Sequence, residues 1–83
     1  MRLAQYVKFR EEKFGGVLFE TRSEKVYTLN PTATAVVREI QAGSAEADIP
    51  ARLKQRFNDE GRAIEREAVA FIADLRQKGL LED

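Results

Sequence analysis

Apolar and polar positions alternate through the first third of the chain and then change period. Tyr6 to Arg10 (YVKFR) sets Tyr6, Lys8 and Arg10 on one side and Val7 and Phe9 on the other, which predicts a strand. Glu11 to Gly16 (EEKFGG) reads as a break, because its paired glycines accept positive φ. Val17 to Thr21 (VLFET) is β-branched and aromatic and predicts a second strand. Arg22 to Lys25 (RSEK) is polar and of hairpin length, and Val26 to Leu29 completes a third strand. Its alternation places Tyr27 and Leu29 on one face and Val26 and Thr28 on the other.

From Asn30 onward the period is helical. Asn30 is a good N-cap and Pro31 sits at the first helical position, where its missing N–H has no intrahelical role. Ala33, Val36, Val37 and Ile40 then recur at helical spacing, so a first helix is expected from about Pro31 to Ala42, with Gly43 as its stop. Ser44 to Ala47 reads as a linker and Asp48 as the cap of a second helix whose first turn tolerates Pro50. Ile49, Leu53 and Phe57 give that helix one buried stripe, and Asn58 to Gly61 is expected to close it. A third and longest helix runs from Ile64 or Glu65 to Lys78, with Gly79 as stop. Ala68, Val69, Phe71, Ile72 and Leu75 give it an apolar stripe wider than one packing face needs.

Three strands followed by three helices predict an α+β fold: a small three-stranded antiparallel sheet with helices on one face, in the order βββααα, as one domain over residues 1–83. If pairing follows chain order, the third strand is an edge. Edge strands expose unpaired N–H and C=O groups and are usually blunted by proline, charge or a bulge. Here Glu24 and Lys25 guard only the start, and Val26-Tyr27-Thr28-Leu29 carries no such residue. Such an edge is either covered by the third helix or kept open to accept an extended peptide by strand addition, or a second copy of the chain.

Composition narrows the chemistry. With 83 residues and a 43% hydrophobic share, the chain supports one core and is too apolar for disorder. Its 14 basic and 14 acidic side chains cancel, which counts against a polyanionic partner. There is no Cys and no His, so zinc ribbons, iron–sulfur sites, thiol nucleophiles and Ser-His-Asp triads are excluded, as are disulfides. A catalyst would need paired carboxylates, and Glu11-Glu12 and Asp59-Glu60 fall in expected turns. No catalytic residue, metal ligand set or cofactor is expected. No segment approaches the ~20 apolar residues of a membrane span or has a signal-peptide pattern, so a soluble cytoplasmic protein is the expectation.

Several pieces taken in order resemble one family. The run from Gly16 through Ala42 contains Val26-Tyr27-Thr28-Leu29-Asn30 followed by the small-residue helix start Thr32-Ala33-Thr34-Ala35. Ile49, Leu53 and Phe57 follow at four-residue spacing, then Val69, Phe71, Ile72 and Leu75, and the closing Leu75-x-x-x-Gly79-Leu80-Leu81. From about Val7 to Leu81 this resembles the PqqD family, named for a small protein of pyrroloquinoline quinone biosynthesis. The resemblance implies a winged-helix-like, non-catalytic domain that recognises ribosomally made precursor peptides. The precursor's leader adds as a further strand to the third strand, in a groove beside the third helix, and is presented to a modifying enzyme, often a radical S-adenosylmethionine enzyme. On this sequence the peptide would lie along Lys25, Val26, Tyr27, Thr28 and Leu29, flanked by Glu67, Phe71, Asp74, Leu75 and Lys78. One departure is Asp48-Ile49-Pro50, where many relatives open the second helix with Thr or Ser; it does not touch the groove.

Each of these residues also has a plainer reading. Tyr27 and Leu29 read as core, which would leave the backbone of Val26 and Thr28 as the chief peptide contact, and Phe71 reads first as a core aromatic. Glu67, Asp74, Arg76 and Lys78 form a mixed-sign solvated face, and Arg52, Lys54 and Arg56 an exposed basic cluster on the second helix. The alternative function is a winged-helix DNA-binding regulator with the third helix as recognition helix. Its Glu65-Arg66-Glu67, Asp74, Arg76 and Lys78 sum to zero charge, a poor match to a major groove.

Overall fold

A computed structural model describes residues 1–57 and 63–82. In chain order the elements are β1 (Arg2–Leu3), β2 (Val7–Glu12), β3 (Gly15–Glu20), β4 (Lys25–Leu29), α1 (Pro31–Gln41), a 3₁₀ turn (Glu46–Asp48), α2 (Ile49–Phe57), α3 (Ala63–Gln77) and β5 (Leu81–Glu82). β2, β3 and β4 form an antiparallel sheet in that order, so the strand expected as the third is β4, and it is an edge. The expected closure of the second helix at Asn58 to Gly61, and the Asp59-Glu60 pair, lie outside the described residues.

The core lies between the inner face of this sheet and the three helices. Leu18 at the centre of β3 is fully buried, as are Val36 and Val37 on α1, Ile49 and Leu53 on α2, and Ala68 on α3. α3 packs chiefly against α2 and α1, and α1 in turn against β3. The switch from β4 to α1 follows the capping expected of Asn30-Pro31. Asn30 Oδ1 accepts the Ala33 N–H at 2.8 Å, and Pro31 opens the helix.

The structure departs from the sequence reading at five places. Glu11-Glu12 and Gly15-Gly16 are strand, not break: β2 and β3 pair out to Glu12↔Gly15, leaving only Lys13-Phe14 as the turn. The glycines are needed where strands crowd, for a Cβ on Gly15 (φ +148°) would collide with the Leu29 carbonyl oxygen. A second sheet joins the two ends of the chain, β1 with β5, in the register Arg2↔Glu82 and Leu3↔Leu81; two-residue strands leave no periodic signal. Asp48 does not cap α2. It lies in the 3₁₀ turn, its N–H bonded to the Ala45 carbonyl at 2.9 Å, and the turn runs straight into the helix.

Phe57 leaves the expected buried stripe and is 38% exposed. Two successive four-residue steps rotate a side chain about 80° around a helix, which carries Phe57 off the face that Ile49 sets. Val69 likewise is exposed, so the broad stripe of α3 narrows to buried Ala68, Ile72 and Leu75 with Phe71 half-buried at its flank.

Candidate peptide-binding edge and groove

The register of the sheet determines which backbone groups β4 leaves free. The Thr21 N–H donates to the Tyr6 carbonyl at 2.8 Å, which makes Tyr6 and Thr21 a hydrogen-bonded pair at the start of the β2–β3 ladder. Hydrogen-bonded and non-hydrogen-bonded pairs alternate along an antiparallel ladder. Phe19 and Val17 therefore turn their N–H and C=O toward β2, and Glu20, Leu18 and Gly16 turn theirs toward β4. Their partners on β4 are Lys25, Tyr27 and Leu29. By elimination, Val26 and Thr28 hold their N–H and C=O toward the open side. That is the pair of residues expected to offer backbone contacts.

Beside this edge lies a groove floored by core residues. A cavity of about 90 Å³ opens between β4 and α3. Of the ten residues expected at the site, Tyr27, Thr28, Leu29, Phe71, Asp74, Leu75 and Lys78 line it. Lys25, Val26 and Glu67 do not. Lys25 is exposed at the start of β4 opposite Glu20, Val26 points to the outer face of the sheet, and Glu67 is exposed one helical turn before Phe71. Leu29 and Leu75 are buried and belong to the core as well as the floor; half-buried Phe71 packs against the core and walls the groove.

Leu18 and Leu80 complete the floor, beyond the ten residues expected at the site. Leu18 carried a signal, since it faces inward with Phe9 and Tyr27 across the sheet. Leu80 arrives through the helix stop. The Leu80 N–H bonds the Leu75 carbonyl at 2.9 Å and the Gly79 N–H bonds the Arg76 carbonyl at 3.0 Å, the paired bonds of a Schellman turn. Gly79 has φ +74°, the left-handed conformation that this turn requires. The turn folds Leu80 back beside Leu75 and aims the chain into β5. Tyr6 Oη donates to the Gly79 carbonyl and ties the turn to the sheet.

The rim is polar. Lys78 Nζ lies 2.6 Å from Asp74 Oδ2 and 5.3 Å from the centroid of the Tyr27 ring, so one cation bridges helix and strand across the mouth of the groove. The start of β4 is held by Glu20. Its carboxylate accepts the N–H of Arg22 at 2.8 Å and of Ser23 at 3.0 Å, and the Ser23 hydroxyl. That hydroxyl first, with the two N–H groups and the Arg22 guanidinium, holds Glu20 below the usual carboxylate range against the opposing effect of burial. Arg22 also stacks over the Tyr6 ring at 3.5 Å.

The basic cluster expected on the second helix is largely engaged within the protein. Arg52 pairs with Glu39 at 2.6 Å and Lys54 with Glu65 at 3.3 Å. Among the described residues no group of His, Cys, Asp or Glu is arranged to hold a metal ion, and no helix is long and apolar enough to cross a membrane.

The family model described as coenzyme PQQ synthesis protein D (PqqD) matches residues 15–81. The chain belongs to the PqqD family. No curated protein matches it. Among solved structures, this PqqD-family chain is similar to a lasso peptide synthetase B1 complexed with the leader peptide. The TM-score is 0.81 and the identity 26%, over 99% of this chain and 96% of that one. It is also similar in fold to TbiB1 in complex with the TbiA(beta) leader peptide, with a TM-score of 0.83 and 18% identity over 99% and 95% of the two chains.

Proposed function

We propose that this protein is a non-catalytic recognition domain that binds the leader of a ribosomally made precursor peptide by strand addition to β4 and presents it to a modifying enzyme. The observation that carries the reading is the free backbone of Val26 and Thr28 running beside a preformed apolar groove of about 90 Å³. Main-chain bonds to such an edge supply affinity, each worth about 1 kcal/mol net, and a pocket for alternate side chains supplies selectivity. Membership of the PqqD family and the similarity, at 26% identity, to a leader-bound lasso peptide synthetase B1 support it.

In this reading Lys25 to Leu29 form the docking strand. Phe71 and Leu75 wall the groove, and Asp74, Lys78 and Glu67 line its approach. The cytoplasm, where precursor peptides are made, is the compartment. The partner enzyme follows the precursor. The family resemblance suggests a radical S-adenosylmethionine enzyme, whereas the similarity to a lasso peptide synthetase B1 favours lasso-peptide machinery.

The test is amide-shift mapping of the labelled protein titrated with a synthetic peptide covering the leader of the precursor encoded beside it. Perturbations should concentrate at Lys25 to Leu29 and along α3 from Glu67 to Lys78. Perturbations confined to other surfaces would remove the groove assignment. Pairing of β4 with a second copy is the competing use of the same edge, and size measured across concentrations, with and without peptide, separates the two.

A further inference from the structure

We propose that the outer face of β4 reads a second leader side chain, long and apolar, at a position of opposite parity to the one that enters the groove; this rests on the leader-binding reading above. Successive residues of an added strand point to opposite faces of the sheet, and residues directly opposite one another across two strands share a face. Tyr27 faces inward, so the leader residue beside it enters the groove. The residue beside Val26 must then lie on the outer face, which no helix covers among the described residues.

That face is built in rows. Lys8, Phe19 and Val26 are cross-strand neighbours, and so are Arg10, Val17 and Thr28. Val26 is 59% exposed and Phe19 38%, an unusual accessibility for large apolar side chains in adjacent strands. With Val17 they line a shallow concavity of about 590 Å³, flanked on the β2 side by Lys8 and Arg10. An incoming strand lies about 4.8 Å beyond β4, which puts its Cβ about 5 Å from that of Val26 and about 10 Å from β3. A short side chain there touches Val26 alone. An aromatic, Leu or Met side chain leaning across Val26 also reaches Phe19. The two faces thus select differently: the inner cavity is enclosed between β4 and α3, while the outer face is an open apolar bed on which a long side chain can lie across Val26 toward Phe19.

The experiment is calorimetric titration of the intact chain with the synthetic leader peptide, in a cycle with Val26→Lys and with peptides carrying Asp at each position in turn. Because Val26 is exposed, Val26→Lys should keep the wild-type circular dichroism and melting profile. It should weaken the unaltered leader about fivefold or more, an effect of cross-strand size. Asp at the outward leader position should weaken binding to the unaltered chain and restore it to Val26→Lys, whereas Asp at the groove-side positions should weaken both. Phe19→Ala should weaken only leaders with a long outward side chain. The proposal is overturned if Val26→Lys changes affinity less than about twofold, the size of a negligible cross-strand pair, or if no Asp position couples to it. Failure of the unaltered chain to bind any leader peptide would overturn the underlying reading instead.

Discussion

Replacing Thr28 by proline tests the edge with a single donor. The register leaves the Thr28 N–H pointing away from β3, so the substitution removes no bond of the folded sheet. Proline is tolerated at such edge positions, and the preceding residue, Tyr27, already has the extended conformation that proline demands of its neighbour. Stability should therefore fall by only about 1 kcal/mol, from the mismatch between proline's fixed φ and a pleated strand. Binding should fall further. The lost hydrogen bond to the peptide contributes about 1 kcal/mol, and leaving the peptide carbonyl unpaired against the edge costs about 1–3 kcal/mol more, so affinity should drop roughly 30- to 1,000-fold.

The matched control is Tyr27→Pro. The Tyr27 N–H belongs to the β3 ladder, so this change should unfold β4, with a loss of stability of about 3 kcal/mol. Urea denaturation supplies the stabilities and calorimetric titration with the leader peptide the affinities. The two variants should be ordered oppositely in their ratio of binding loss to stability loss. If Thr28→Pro binds as tightly as the unaltered chain while folded, the edge is not where the peptide pairs. If Thr28→Pro and Tyr27→Pro lose stability equally, the assignment of free and paired backbone groups is wrong.

Gly15→Ala should destabilise the protein by more than about 2 kcal/mol in urea denaturation, since the new methyl would collide with the backbone of Leu29 at the end of β4. Asn30→Ala removes the side-chain acceptor of the Ala33 N–H and should cost about 1 kcal/mol of stability by the same assay. Phe71→Ala should weaken leader binding by more than it lowers stability, because Phe71 is only half-buried and walls the groove, whereas Leu75→Ala should cost about 2–5 kcal/mol of stability outright. Glu20, Glu39 and Glu46 are all held below the ordinary value of 4.5, chiefly by hydrogen bonds from Ser23, Ser44 and Arg76 respectively. A depressed folded-state value stabilises the protein above the unfolded-state value, and that contribution is lost as pH falls through the folded values. Thermal midpoints should then be flat near neutrality and fall as pH drops below about 4.5, and Glu20→Gln should remove part of that dependence.

Much of this architecture is legible in the sequence because its signals are local. Alternation in YVKFR and VYTL, the Asn30-Pro31 cap and the Gly79 stop each act through near neighbours, and the structure has each in place. What was not legible depends on residues distant in the chain. The β1–β5 pair joins ends some 80 positions apart. Gly15 is required by the carbonyl of Leu29, a constraint that no local pattern carries, so EEKFGG reads as a break. Within the candidate site, Phe71 and Leu75 follow from the stripe of α3 and Asp74 and Lys78 only from the family resemblance, while Leu18 and Leu80 take their place only once β3 is set beneath β4 and the Schellman turn has folded back.

The groove stays open because β4 and α3 are each held by something other than one another. α3 is fixed by its packing on α2 and α1, and β4 by its ladder to β3, with α1 lying between the helices and the sheet. β4 and α3 meet at the floor, where buried Leu29 and Leu75 lie beside Leu18 of β3 and Leu80 of the turn, and at the rim, where Lys78 lies over Tyr27. α1 and the short β4-to-α1 switch at Asn30-Pro31 thus hold the two walls in place, and the Lys78 bridge at the rim is the contact an entering side chain would displace. A peptide adding to Val26 and Thr28 would meet an edge and a wall already in position. It would expend little of its binding energy on rearranging the domain, the condition under which rigid docking onto a free structure is a sound expectation.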